Sequence, residues 1–121
     1  MKSQTEVLRL ELMGPLRLFR PDGTRIDINS RKGSALLALL ATAPSGERSR
    51  SWLEERLWGS RAAQQAKGSL RRELANLRML LQTENGVPIV ADRDRIALDL
   101  TEFLIDVREW ENSVSSNTVL S

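Results

Sequence analysis

Apolar and polar positions change period twice along the chain. Over VLRLEL (7–12) they alternate, with Leu8, Leu10 and Leu12 on one side and Arg9 and Glu11 on the other. A period of two is the mark of a half-buried strand. Gly14-Pro15 turns the chain, and Leu16-Arg17-Leu18 alternates again. RPDGT (20–24) is a turn in which proline sets φ and Asp-Gly supplies a positive φ. RIDI (25–28) alternates once more. These runs predict a small antiparallel sheet of three or four short strands.

The period then lengthens to that of a helix. Ser30 stands where a cap belongs for a helix over 31–42, RKGSALLALLAT. Leu36, Leu40 and Ala43 form a stripe flanked by Leu37 and Leu39, so this helix is expected to be central and mostly buried. Pro44 and Gly46 stop it. A second helix follows to about Trp58, capped either by Ser49 or by Ser51 with Glu54 as the capping box. Gly59 is a natural stop. Leu53, Leu57 and one of Trp52 and Trp58 are expected to face inward, Trp58 as a core plug. The third helix covers roughly 63–82. At about 100° per residue, Ala66, Leu70, Leu74, Leu77 and Leu81 share one stripe. Opposite lie Gln65, Gly68, Ser69, Arg72, Ala75, Asn76 and Met79, with Lys67, Arg71 and Arg78 on one flank. ENG (84–86) ends the helix. Two β-like runs, 88–91 and 95–100, surround Asp92-Arg93-Asp94 and predict a hairpin.

Composition bounds the class. The 121 residues suffice for one domain with a core, and 40% hydrophobic with 28% charged residues is ordinary for a globular protein. Aromatics are only 4%, so the core must be mostly aliphatic. There is no cysteine, which excludes disulfides and thiolate metal sites and fits a reducing compartment. With no histidine either, the usual general bases, nucleophiles and transition-metal ligands are missing. Neither an enzyme nor a cofactor is expected. No apolar run approaches membrane-spanning length, and MKSQTE lacks the character of a signal peptide. The expectation is a cytoplasmic protein with no membrane partner.

The net charge of +2 says less than its distribution. Residues 48–78 hold eight cations (Arg48, Arg50, Arg56, Arg61, Lys67, Arg71, Arg72, Arg78) against three acids, Glu54, Glu55 and Glu73. From 99 to 111 the balance reverses: Asp99, Glu102, Asp106, Glu109 and Glu111 stand against Arg108. A basic middle points to a polyanion-facing surface.

Sheet, three helices and hairpin in this order predict an α+β winged helix-turn-helix over 7–100, with an N-terminal antiparallel sheet and a C-terminal β-hairpin wing. Residues 101–111 are expected to be a linker or the start of a following helical domain, and 112–121 a disordered tail. RKGSALLALLATAP, RSWLEERLWG and AKGSLRRELANLR resemble the winged-helix module of the OmpR/PhoB response-regulator class. The nearest likeness is to the N-terminal module of the Streptomyces antibiotic regulatory proteins and related bacterial transcriptional activators. LRLELMGPLRL is similar to that module's leading sheet, VPIVADRDRIALDL to its C-terminal hairpin, and IDVREWE to the entry into its helical activation domain. The resemblance spans about residues 7–111. It implies a bacterial transcription regulator whose third helix enters the DNA major groove, whose wing reaches the adjacent minor groove, and whose leading sheet braces the helices. RNA polymerase and a second copy in tandem on DNA are further partners it admits.

The residue types agree. Arg72 and Asn76, one turn apart, suit guanine and adenine edges, and Gln65 and Ser69 extend that line. Lys67, Arg71 and Arg78 can reach phosphates. Arg31 and Lys32 open the first long helix, where a phosphate clamp and a solvated helix end are both open. Arg93 and Arg95 mark the wing. Arg93 either enters a narrow minor groove or pairs with Asp92 and Asp94 at the surface. Gly68 either lets backbone approach DNA or is a tolerated flaw. Ala62-Ala63 stand where the family often has proline. The competing class is a winged-helix module that binds a protein partner and no DNA.

Overall fold

In chain order the elements are β1 (Leu8–Glu11), β2 (Arg17–Phe19), β3 (Arg25–Ile26), α1 (Arg31–Ala41), β4 (Glu47–Ser49), α2 (Arg50–Trp58), α3 (Ala63–Leu80), β5 (Ile89–Ala91), β6 (Arg95–Leu98), β7 (Phe103–Ile105) and α4 (Asp106–Leu120). A 3-10 turn, Leu100–Glu102, precedes β7. The structure is a computed structural model that describes residues 7–120, with side chains as far as Val114. Among the described residues it is an α+β fold with four α-helices and two small sheets. The chain divides into two compact units, residues 28–100 and the flanking segments to either side. The single domain expected over 7–100 is thus split at Asp27, and residues from Thr101 onward belong with the leading strands.

The flanking unit is a sheet in the order β3-β2-β1-β7. Alternation puts Leu8, Leu10, Leu18 and Ile26 on a buried face while Arg9, Arg17 and Arg25 are exposed. β1 is antiparallel to β2 and parallel to β7, so Phe19, Arg9 and Leu104 lie in one row across the outer face. The Arg9 guanidinium sits 4.9 Å from the centre of the Phe19 ring. A parallel neighbour needs a long crossover, and the chain between β1 and β7 includes all of residues 28–100. β7 lies where a linker or helix start was expected. Its run Phe103-Leu104-Ile105 is continuously apolar, and such a run does not reveal its period. α4 packs against β1 and β7. It continues through 112–120, where the sequence predicts a disordered tail: no proline or glycine interrupts it, and Asp106 and Glu109 suit its first turn. Ser121 lies outside the described residues.

Residues 28–100 form three helices and the sheet β4-β6-β5. Ser30 caps α1 by accepting from the Gly33 N–H, and Leu36, Leu37, Leu40 and Ala41 are buried. Gly46 then holds φ +75°, and a Cβ there would meet the Leu98 carbonyl oxygen and Leu100 Cγ at 2.9 Å each. Only glycine suits both the dihedral and the space. It starts β4, which sequence reading misses because Glu47-Arg48-Ser49 is polar and half-buried throughout. Ser49 caps α2 through the Trp52 N–H at 3.1 Å, deciding between the two candidate serines. Trp58 is the buried tryptophan, whereas Trp52 lies between Arg48 and Arg56, 4.2 and 4.8 Å from its ring centre. At Gly59 a Cβ would fall 2.5 Å from the Glu55 carbonyl oxygen, so the turn into α3 has no room for a side chain. Among the described residues no helix is long and apolar enough to cross a membrane.

Candidate nucleic-acid interface

α3 meets both other helices of its unit, and its buried positions are Ala66, Ser69, Leu70, Leu74 and Leu77. Glu73, Asn76 and Leu80 are half-buried at one edge, and Gly68 is half-buried on the outer side. Gln64, Gln65, Lys67, Arg71, Arg72, Ala75, Arg78 and Met79 form the exposed arc. Its single acid is accounted for: Glu73 Oε2 accepts from the Ser30 hydroxyl at 2.8 Å, on the side toward α1. The outward arc therefore carries four cations and no carboxylate.

Most of the basic residues singled out from sequence have partners within the protein. Lys67 Nζ lies 3.4 Å from Glu54 Oε1 on α2. Arg78 Nη1 donates to the Ile89 carbonyl at 3.1 Å, joining the end of α3 to β5. Lys32 donates to the Leu57 carbonyl near the end of α2 and stands 5.9 Å from the Trp58 ring centre. That bond satisfies a carbonyl in the last turn of α2 and ties it to α1. Arg95 Nη1 pairs with Glu47 Oε1 at 3.1 Å across β6 and β4. Arg31, Arg71 and Arg93 are exposed and make no such contact among the described residues.

Two of the expected base-facing residues sit differently from their assigned line. Ser69 is only 5% exposed, and its Oγ accepts from Arg61 Nη1 at 3.3 Å and Arg72 Nη2 at 3.5 Å. A serine so enclosed cannot reach a base edge. Asn76 is half-buried, while Gln65 and Arg72 are exposed. α3 begins at Ala63 behind Ala62, which makes no side-chain cap bond.

The hairpin tip is ordered by its own acid. Asp92 Oδ1 accepts from the N–H groups of Asp94 and Arg95, each at 2.8 Å. Those bonds, from Asp94 first and then Arg95, hold the carboxyl below the ordinary carboxylate range. Asp92 thus faces its own turn, and Arg93 is not paired with it. Arg50, at the start of α2, braces the same tip: its N–H donates to the Asp94 carbonyl at 2.8 Å and its Nε to the Asp92 carbonyl at 2.7 Å. Arg50 and Arg61 escape sequence reading as site residues. Both are visible only as members of the basic block, because neither falls on the stripe of α3.

Among the described residues no group of acidic side chains is placed to hold a metal ion. No family model matches the chain, and no curated protein does.

Proposed function

We propose that residues 28–100 form a winged-helix module that binds double-stranded DNA in bacterial transcription regulation, in the cytoplasm. α3 is read as the helix that enters the major groove, and the β5–β6 hairpin as the wing that reaches a neighbouring minor groove. The observation that carries this reading is the outward arc of α3, with Lys67, Arg71, Arg72 and Arg78 exposed and its one acid turned toward α1. A face of that kind attracts a polyanion, and a groove about 12 Å wide admits a helix. Gln65 and Asn76 offer amide donors and acceptors to base edges. Arg72 stands between them and can serve a guanine or a phosphate. Arg71 and Arg78 suit phosphates, as Lys67 does once it exchanges Glu54 for DNA. Arg93 is the wing's minor-groove candidate, and Arg31 a phosphate candidate at the start of α1.

A second reading rests on exposed apolar side chains of the same elements: Met79 is 72% and Val90 68% exposed. Such residues suit a winged-helix module that binds a protein partner and no DNA.

A mobility-shift titration in salt separates the readings. Roughly five phosphate contacts give a log–log slope near −4.5, a loss of about 500-fold between 50 and 200 mM salt. Absence of any salt-dependent shift with duplex DNA at 50 mM salt would leave the protein-binding reading.

A further inference from the structure

Arg61 and Arg72 approach one buried oxygen from two elements. Arg61 lies on the turn between α2 and α3, and its own N–H is fixed to the Trp58 carbonyl at 3.0 Å. Arg72 lies one turn of α3 beyond Ser69. Their guanidinium groups stand 3.3 and 3.5 Å from Ser69 Oγ. Neither forms an ion pair among the described residues. A guanidinium stays charged at every accessible pH. Two positive groups are thus held side by side on a neutral hydroxyl, which orients them and neutralises neither. Each keeps most of its five N–H donors for a further acceptor, and the fork geometry matches an oxyanion.

We infer that Arg61 and Arg72 form one oxyanion site for a backbone phosphodiester of bound DNA, with Ser69 as its positioning residue. The inference rests on the DNA reading and sharpens it. Arg72 becomes a phosphate contact, and base edges are left to Gln65 and Asn76. Arg61 becomes an interface residue although it stands outside the helix.

The test uses the full chain and two duplexes, one selected from a random pool and one of random sequence. Arg61→Ala and Arg72→Ala should each weaken both duplexes alike, by roughly tenfold, and lower the salt slope by about 1. The double variant should lower it by little more, because the two share one phosphate. Ser69→Ala should weaken binding with both arginines present, and Ser69→Thr should restore it. A walk of single neutral methylphosphonate linkages should find one position that costs the wild type affinity and costs Arg61→Ala clearly less. The site is overturned if Arg61→Ala binds like the wild type, if Arg72→Ala loses discrimination with its slope intact, or if no linkage behaves in that way. It is also overturned if inorganic phosphate moves the Arg61 and Arg72 Nε–H resonances while the bound duplex does not, which would make the anion a free one. A wild-type chain that binds no duplex removes the DNA reading itself, and the site's phosphodiester with it.

Discussion

The Ser30 hydroxyl donates to Glu73 Oε2 at 2.8 Å while its oxygen accepts from the Gly33 N–H at 3.1 Å. One side chain therefore caps α1 and ties it to α3 across 43 residues of sequence. It also turns the one carboxylate of α3 away from the basic arc. Ser30→Ala removes both bonds and should cost about 1–2 kcal/mol, the range of a lost cap with an added tertiary bond. Glu73→Ala should cost less, because the cap survives. In urea unfolding, a double-mutant cycle should show coupling of about 0.5 kcal/mol or more. Strict additivity would mean that the inter-helix bond contributes nothing.

Gly68 lies within α3 on its outer side, and a Cβ there would meet nothing within 4 Å. The isolated protein gains nothing from glycine at this position. Gly68→Ala should stabilise it by up to about 1 kcal/mol in thermal unfolding. If α3 approaches DNA as proposed, the same substitution should weaken duplex binding, because a methyl group then stands between backbone and groove. Higher stability with unchanged affinity would mark Gly68 as a tolerated flaw.

The helix periods made α1, α2 and α3 legible, along with the inward leucines and the cap at Ser30. Ser69 shows where that reading stops. Counted with the outward side, it falls between that side and the leucine stripe, where helical phase leaves small residues free to go either way. It is buried, and one of its partners is Arg61, eight positions earlier on a turn that has no period. β4 and β7 were hidden for opposite reasons. Glu47-Arg48-Ser49 has no apolar residue to alternate, and Phe103-Leu104-Ile105 has no polar one. Each is a strand because of its neighbour, Arg48 opposite Ile96 and Leu104 opposite Arg9. Pairings of that range leave no trace in a local window.

Base reading and phosphate contact separate experimentally along α3. Asn76→Ala should narrow the affinity gap between selected and random duplexes by about 1–3 kcal/mol and leave the salt slope alone. Arg71→Ala should weaken both duplexes equally and lower the slope by about 1. Filter binding at several salt concentrations measures both. Matching behaviour of the two variants would contradict the phase assigned to the helix.

At the wing, Asp92→Ala takes the acceptor from the Asp94 and Arg95 N–H groups. Amide exchange at 94 and 95 should quicken while the global melting temperature barely moves, since the tip is exposed. Duplex affinity should fall about as far as in Arg93→Ala if tip order is what places Arg93. The Asp92 carboxyl is held below its usual range, so the tip's order is present at neutral pH. It is lost as pH falls through that lowered value. Exchange at 94 and 95 that is unaffected by the substitution would show that Arg50 alone holds the tip.

Asp106 opens α4 and receives three backbone N–H groups: Leu12 at 2.8 Å and Met13 at 3.1 Å from the segment after β1, and Val107 at 2.7 Å. Burial raises its pKa, but the bonds from Leu12, Met13 and Val107 together outweigh that and hold it below the ordinary range. A carboxylate with a depressed folded-state pKa stabilises the fold above its unfolded value, about 3.9, and loses that contribution as pH falls through the folded one. Asp106→Asn keeps one acceptor and loses the charge. At pH 7 it should cost about 1 kcal/mol, comparable to a lost helix cap. The deficit should persist to about pH 5 and shrink below pH 4 as the wild type becomes protonated. Amide exchange at Leu12 and Met13 reports on this contact directly, so it separates local loosening from global unfolding. A deficit that stays constant down to pH 2.5 would mean that the charge on Asp106 plays no part in holding β1 to α4.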